Sequence, residues 1–226
     1  MSARLAGLSS MATRHILNDL ARAYEAQTGA RVEIRSMGGV EAAKLARAGE
    51  ATDIVVLASK VIAALEAEGH LAQGEGRDFA RSEIGVAVRL GSAAPDIADE
   101  QAVRQAVLNA RTIGCSTGPS GEHLKALCAK WGASPARLLV AAPGVPVAEL
   151  VANGEADLGF QQLSELIGQP GVEVVGPLPQ DIQAVTVFSA GVSAMSRDGA
   201  GARAFVAYLT SAETDGAKRR HGMEPA

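Results

Sequence analysis

Ala48-Gly49-Glu50-Ala51-Thr52-Asp53-Ile54-Val55-Val56-Leu57-Ala58 reads as a helix stop, a turn and a strand. Gly49 closes an Ala-rich helical stretch in the way left-handed C-terminal glycines do. Asp53 launches Ile54–Leu57, a continuous β-rich apolar run typical of a strand covered on both faces. Asn153-Gly154-Glu155-Ala156-Asp157-Leu158 repeats the pattern about a hundred residues on. Gly-Glu-Ala is a common helix-stop composition, so the echo alone suits coincidence as well as it suits two lobes of similar construction.

Outward from that stretch, apolar runs bounded by turn residues alternate with helix-period segments, which predicts an α/β fold. Arg4–Leu8 is a short strand, and Ile16, Leu17, Leu20 and Tyr24 mark one face of a helix with Gly29 beyond its end. Val32–Arg35 is a strand, and Val61, Ile62 and Leu65 pattern a helix ending at Gly69. Ile84–Leu90 opens a second unit: helix 99–110, strand Arg111–Cys115, helix 120–131, strand Leu138–Ala141, helix 147–153 and strand Asp157–Phe160. Val172–Val175 and Val185–Ser189 are strands, and Ala202–Leu209 begins the last helix. No low-complexity linker separates independent domains.

The 226 residues suffice for one large domain or two small lobes. Apolar residues at 47%, charged residues at 20% and a net charge of −4 give ordinary globular composition, with no pull towards nucleic acid or an anionic membrane. With 25 glycines against 4 Phe, 1 Trp and 2 Tyr, binding is expected to run through loops and backbone rather than stacked rings. The start lacks a basic stretch followed by an apolar run, so a cytoplasmic protein is expected, or a periplasmic one if the sequence begins at a mature terminus. No apolar run of about 18 residues predicts a membrane span. Cys115 and Cys128 are too few for a disulfide framework and form no CxxC.

The segment richest in chemistry is Thr112-Ile113-Gly114-Cys115-Ser116-Thr117-Gly118-Pro119-Ser120-Gly121-Glu122-His123. A strand ends, small hydroxylated residues follow, and Pro119 suits the first turn of a helix. Free N–H groups there, beside Ser116, Thr117, Gly118, Ser120 and Gly121, form either an anion site or a plain capped helix start. The same residues contain a literal G-x-S-x-G, with His221 downstream in hydrolase order. No HGGG-type loop accompanies it, and the elbow is set aside.

Ser9-Ser10-Met11-Ala12-Thr13 with Arg14 and His15, Ser36-Met37-Gly38-Gly39, and Ala58-Ser59-Lys60 each follow a predicted strand, where open α/β sheets place ligands. Gly144 and Val145, with Gln161 and Gln162, border comparable turns of the second half. None of the four histidines pairs at metal-ligand spacing, so no metal is expected. No P-loop or G-x-G-x-x-G occurs, and no cofactor is expected. His15 and His123 each lie one turn into a helix that starts at a candidate loop; with Glu122 they are the candidate acid/base residues.

The order of several segments resembles a known family. Ser9-Ser10, Leu17–Tyr24 with Thr28-Gly29, Ser36-Met37-Gly38-Gly39, Gly49 to Ala58, Leu65 to Leu71, and Phe205 to Ala226 with its His221-Gly222-Met223-Glu224-Pro225-Ala226 ending follow one another as in the type II periplasmic-binding-protein superfamily, in the branch with molybdate-binding proteins. The resemblance implies two α/β lobes with a ligand cleft between them and crossings near 82–90 and 183–192. Lobe 1 would then be 1–82 plus 190–226, and lobe 2 would be 83–189. The tyrosine that commonly follows the Asp157–Phe160 type of strand is replaced by Gln161-Gln162. Thr117-Gly118-Pro119-Ser120-Gly121, Gly159-Phe160-Gln161-Gln162 and Gly176-Pro177-Leu178-Pro179 look more like a sub-branch similar to bacterial aconitate isomerases.

Three functions follow as expectations. One is a receptor for a small oxyanion such as molybdate, or for a small carboxylate, with an ABC permease as partner only if the protein is exported. The second is an isomerase of a small unsaturated polycarboxylate, using the same donors to stabilise a dienolate. The third is a ligand-sensing domain, against which the absence of a DNA-binding segment argues.

Overall fold

Three β-α steps open the chain: β1 (Arg4–Ser10) into α1 (Arg14–Thr28), β2 (Arg31–Met37) into α2 (Gly39–Arg47), and β3 (Ile54–Ala58) into α3 (Ser59–Ala67). β4 (Arg77–Ser82) leads to β5 (Ile84–Arg89), α4 (Glu100–Asn109), β6 (Ile113–Cys115), α5 (Pro119–Trp131), β7 (Leu138–Val140) and α6 (Val147–Ala152). Then come β8 (Leu158–Gln162), the single turn α7 (Leu163–Leu166) and β9 (Val172–Pro177). β10 (Thr186–Val192), α8 (Gly199–Leu209), α9 (Asp215–Arg220) and β11 (Glu224–Pro225) complete the order. The structure is a computed structural model that describes residues 4–142 and 144–226. It divides into two units, Met1–Ser82 with Thr186–Ala226, and Glu83–Val185, so the chain passes from one to the other twice.

The first unit's sheet has the order β11-β4-β10-β3-β1-β2, with β1, β2 and β3 parallel and β10 antiparallel to both β3 and β4. β3 is covered on both faces, as its continuous apolar run predicts. Ile54 and Val56 pack with Leu5, Leu17, Leu20, Val32 and Phe205, whereas Val55 and Leu57 pack with Ala42, Ala46, Ile62 and Leu65. Strand alternation sends successive side chains to opposite faces, so an all-apolar run needs helices on both. Gly29, at φ 74°, ends α1 and donates its N–H to Glu25 O at 2.8 Å.

The second unit's sheet, β7-β6-β8-β5-β9, repeats β2-β1-β3-β10-β4 strand for strand: three adjacent parallel strands, then one strand antiparallel to the neighbours on both its sides. Its larger core cluster joins Ile84, Val86, Val107, Ile113, Leu124, Trp131 and Phe160. β10 pairs with β4 over residues 186–190 and with β3 over residues 188–192. Residues 186–189, expected in the second lobe, therefore lie in the first unit.

The two Gly-Glu-Ala echoes do equivalent work. Gly49 and Gly154 take φ 74° and 76°, and the next residue closes the helix by donating to the carbonyl five residues back: Glu50 N to Leu45 O at 3.0 Å, Glu155 N to Leu150 O at 2.9 Å. Each aspartate then clamps the start of the adjacent parallel strand. Asp53 Oδ2 accepts from Ala6 N at 2.9 Å, and Asp157 Oδ2 accepts from Arg111 N at 2.8 Å. Asp53 Oδ1 also accepts from Ser196 Oγ at 2.7 Å and Arg197 N at 3.2 Å.

Burial alone would push the Asp53 carboxyl up, but these donors outweigh it and hold it below the ordinary carboxylate range. Asp53→Ala is expected to cost roughly 3 kcal/mol in urea unfolding at neutral pH, because it leaves buried donors without an acceptor. A group lowered in the folded state stabilises fully above its unfolded value of about 3.9 and loses that contribution as pH falls through the folded value. The gap between wild type and Asp53→Ala should accordingly be constant above about pH 5 and shrink below pH 4. A gap that stays constant into acid would mean that the carboxylate charge contributes nothing.

Candidate functional site

β1, β2 and β3 end side by side at Ser10, Met37 and Ala58 and run almost directly into α1, α2 and α3. The N-cap positions of these helices, Thr13, Gly38 and Ala58, make no side-chain cap bond. First-turn N–H groups without caps carry the positive end of the helix dipole, which attracts anions. The strand-end loops picked from the sequence thus come together along one sheet edge.

Within that edge the two serines differ. Ser9, opposite Ser36 in the β1–β2 register, sits 2.8 Å from it, Oγ to Oγ, on the face covered by α1. Ser10 points to the other face, beside Gly39 at the start of α2. Ser10 is 8% exposed, and its hydroxyl oxygen is buried with no hydrogen-bond partner. An orphaned buried hydroxyl costs free energy until something satisfies it. Thr13, expected to contact ligand, donates its hydroxyl to Ser10 O at 3.1 Å and so braces the turn. Met11, Met37, Gly38, Gly39 and Ser59 are half-buried around the edge, while Lys60 is exposed.

The second unit builds a related loop. Ser116 follows β6, and its Oγ accepts from Gly118 N at 3.2 Å and lies 3.2 Å from Ser120 Oγ. Gly118 is the N-cap of α5 and makes no side-chain cap bond; Thr117 is exposed. Gly121 is buried against this loop: a Cβ there would fall 1.8 Å from Ser116 O. Gly144 is exposed at φ 82°, and Val145 N donates to Ala142 O at 3.0 Å, so this pair forms a turn. Gln161, expected to face ligand, is committed within the unit: its Oε1 accepts from Val147 N at 3.0 Å, and its Nε2 donates to Glu165 Oε1 at 2.7 Å. It caps α6 from the neighbouring strand. Gln162 is buried at 3% exposure.

The acid/base candidates separate clearly. His123 donates from Nε2 to Ile182 O at 2.7 Å, which gives it a bracing role, and Glu122 is exposed and paired with Lys125 at 2.8 Å. His15 is half-buried at the start of α1, with Arg14 Nη2 3.2 Å from its Nε2. Burial first, then the Arg14 and His221 charges, lower its pKa against the opposing pull of Asp19. A neutral imidazole is what a proton acceptor requires. Asp19 and His221, paired at 2.8 Å, are a part of this surrounding that the sequence reading missed. The available signal was the i, i+4 spacing of His15 and Asp19 on a helix.

Ser116 Oγ is engaged with Ser120 Oγ and Gly118 N, and His221 sits on Asp19, so neither takes the role a nucleophile elbow would give it. Cys115 and Cys128 are buried thiols, and burial raises both, Cys128 to about 11, which makes them poor nucleophiles. Among the described residues, no group of three His, Cys, Asp or Glu side chains could hold a metal ion. No helix among them is long and apolar enough to cross a membrane. A depression of about 390 Å³ lies along the middle of β1 and β2 and the turn before β3, lined by Ala6, Gly7, Glu33, Arg35, Glu50 and Thr52 among others. It contains none of the strand-end residues.

Two α/β units of one strand order, each with three parallel strands leading into helices, have the construction of a solute-binding protein. The chain belongs to the family of bacterial extracellular solute-binding proteins, whose sequence profile matches residues 5–224. It is 34% identical to an aconitate isomerase from a Pseudomonas species, over 96% of this chain and 86% of that protein. Among solved structures it resembles the periplasmic molybdate-binding protein of Azotobacter vinelandii, with a TM-score of 0.80, 23% identity and coverage of 97% of this chain and 98% of that one. It also resembles Peb3 from Campylobacter jejuni, with a TM-score of 0.72, 16% identity and coverage of 98% and 100%.

Proposed function

We propose that this protein binds a small carboxylate anion at the strand-end edge of its first unit, and that the bound ligand is an unsaturated polycarboxylate which it isomerises. The observation that carries the binding is Ser10: a buried hydroxyl with no partner, beside helix starts that no side chain caps. A carboxylate oxygen supplies the missing acceptor and meets the helix N–H groups at their positive end. The likeness to the Pseudomonas aconitate isomerase along 96% of the chain supports the chemistry.

On this reading His15 accepts a proton from the methylene carbon next to the double bond. The C–H electron pair forms a new C=C, and the old double bond's electrons delocalise onto the far carboxylate as a dienolate. The same proton, or one from solvent, returns to the carbon at the far end of the former double bond. One proton leaves and one arrives, with no change of oxidation state and no cofactor. Donors already aimed at the growing negative charge lower the barrier without reorganising.

The test is to incubate the protein with trans-aconitate and follow cis-aconitate by proton NMR, with calorimetry on propane-1,2,3-tricarboxylate and on molybdate. Conversion, together with a roughly 10- to 100-fold weaker tricarboxylate affinity in Ser10→Ala, is the expected result. A second reading, a receptor for a tetrahedral oxyanion, is supported by the fold shared with the molybdate-binding protein. No conversion and no tricarboxylate heat, with micromolar molybdate binding, would establish that reading instead.

A further inference from the structure

We propose that Arg14 and Lys60 make the strand-end site a reader of ligand charge: each cation takes one carboxylate, so that a trianion is bound in preference to a dianion of the same chain length. The inference rests on the carboxylate reading of this site and adds to it the residues that set its specificity.

A helix dipole favours an acidic residue at the N-cap or in the first turn and disfavours a basic one. Among the described helices, α2, α4, α5, α6, α7 and α9 each hold an Asp or Glu in the first turn, and α8 has Asp198 at its N-cap. α1 and α3 depart from this pattern. Neither has an acid in its first turn, and their N-caps, Thr13 and Ala58, are uncharged. Arg14 is instead the first residue of α1, and Lys60 the second of α3.

No protein carboxylate offsets these cations. Lys60 is exposed, and Arg14 is half-buried with its Nη2 3.2 Å from the His15 ring. Among the described residues no Asp or Glu pairs with either, although acids pair with Arg4, Arg31, Arg35 and Arg47 in the same unit.

The two departures fall at one place in the fold. α1 and α3 follow β1 and β3, which are neighbours in the sheet with Ser9 opposite Val56, and adjacent strands lie about 4.8 Å apart. Both helices thus start at the edge where Ser10 is 8% exposed and its buried hydroxyl has no partner. Two cations, each in the positive field of a helix start, are unfavourable there until anions join them. Ser10 and the helix N–H groups hold a single carboxylate whatever charge the rest of the ligand carries. Discrimination by charge therefore falls to Arg14, whose planar fork matches one carboxylate, and to Lys60, whose flexible stem carries a point charge to another.

The experiment is calorimetry on the full chain at about pH 8, where carboxyl groups are ionised. It compares propane-1,2,3-tricarboxylate with pentanedioate, which keeps the two end carboxylates and lacks the central one. Wild type should bind the tricarboxylate about 10- to 100-fold more tightly at low salt, and the ratio should narrow as ionic strength rises. Lys60→Gln and Arg14→Gln should each lower that ratio by about 10-fold, while Lys60→Arg and Arg14→Lys, which keep the charge, should retain most of it. Lys44→Gln is the control: it removes the same unit of charge from an exposed residue in the last turn of α2 and should leave the ratio unchanged.

Should Arg14→Gln fail to fold, the exposed Lys60 decides alone. Equal binding of the two ligands by wild type, a wild-type ratio in Lys60→Gln, or an equal loss in Lys44→Gln overturns the charge reader and leaves the carboxylate site standing. No binding of either ligand at millimolar concentration overturns both.

Discussion

Replacing Gly121 by alanine is expected to destabilise the protein by about 3 kcal/mol or more and to dislocate the Ser116–Gly118 loop. Helix propensity alone points the other way, since alanine in a helix is favoured over glycine by about 1 kcal/mol. The clash decides. The new Cβ would lie 1.8 Å from Ser116 O, 2.7 Å from Ser116 C and 3.2 Å from Ser116 N. All three are backbone atoms, and no flexible side chain can turn aside to make room. Either the first turn of α5 retreats from the loop or the loop retreats from the helix. Both outcomes break the contacts from Ser116 Oγ to Gly118 N and Ser120 Oγ. Gly118→Ala is the control, because a Cβ there meets Ser116 Oγ at an ordinary 3.6 Å and φ is −86°. Urea unfolding should place Gly118→Ala within about 1 kcal/mol of wild type. Equal stability of Gly121→Ala and wild type would show that the close approach carries no constraint.

Gly121 also shows what a sequence can and cannot disclose. Its place in a small-residue loop at a helix start was legible, and α5 begins at Pro119, one residue before the expected helix 120–131. That it serves packing as well as openness was not, because the neighbour it touches is a carbonyl on the turn before it. The same division runs through the fold. Ile54–Leu57 was legible as a doubly covered strand because four β-rich apolar residues in succession have few other uses. β4 was not: Arg77-Asp78-Phe79-Ala80-Arg81-Ser82 offers only Phe79 and Ala80 to a core, and its strand form is imposed by β10 and β11 on either side. α8 begins three residues earlier than its apolar pattern, since Gly199 and Gly201 read as breakers while Asp198 caps the helix by accepting from Gly201 N at 2.9 Å.

At the site, strand-end loops with small and hydroxylated residues were legible because parallel strands deliver their C-terminal ends to one edge. Which donors were already in use was not. Ser9 is taken by a serine 27 positions away, Gln161 by the N–H of a residue 14 positions away, and His123 by a carbonyl 59 positions away. Local pattern carries no information about such pairings. The tertiary fold subtracts from the sequence's list of candidates and leaves Ser10 with a buried hydroxyl that has no partner.

That same subtraction makes His15 the residue whose loss should be felt most strongly in turnover. On the isomerase reading, His15→Gln should lower kcat for trans-aconitate by about 10²–10⁴-fold, the range of a lost general base. Glutamine keeps a polar group of similar reach but cannot accept a proton at neutral pH. Tricarboxylate affinity should change far less than kcat, since Ser10 and the helix starts remain. The pH profile gives an independent sign. A base must be neutral to act, and burial together with Arg14 holds His15 below the ordinary histidine value near 6.5. Activity should therefore persist on the acid side of 6.5 and fall only as His15 becomes protonated, and any residual activity of His15→Gln should lack that limb. His123→Ala offers the contrast: with Ile182 O left without its donor, it should reduce stability while leaving the position of the acid limb unchanged. Full turnover in His15→Gln with the fold intact would remove His15 from the chemistry and return the search to groups that reach the same edge.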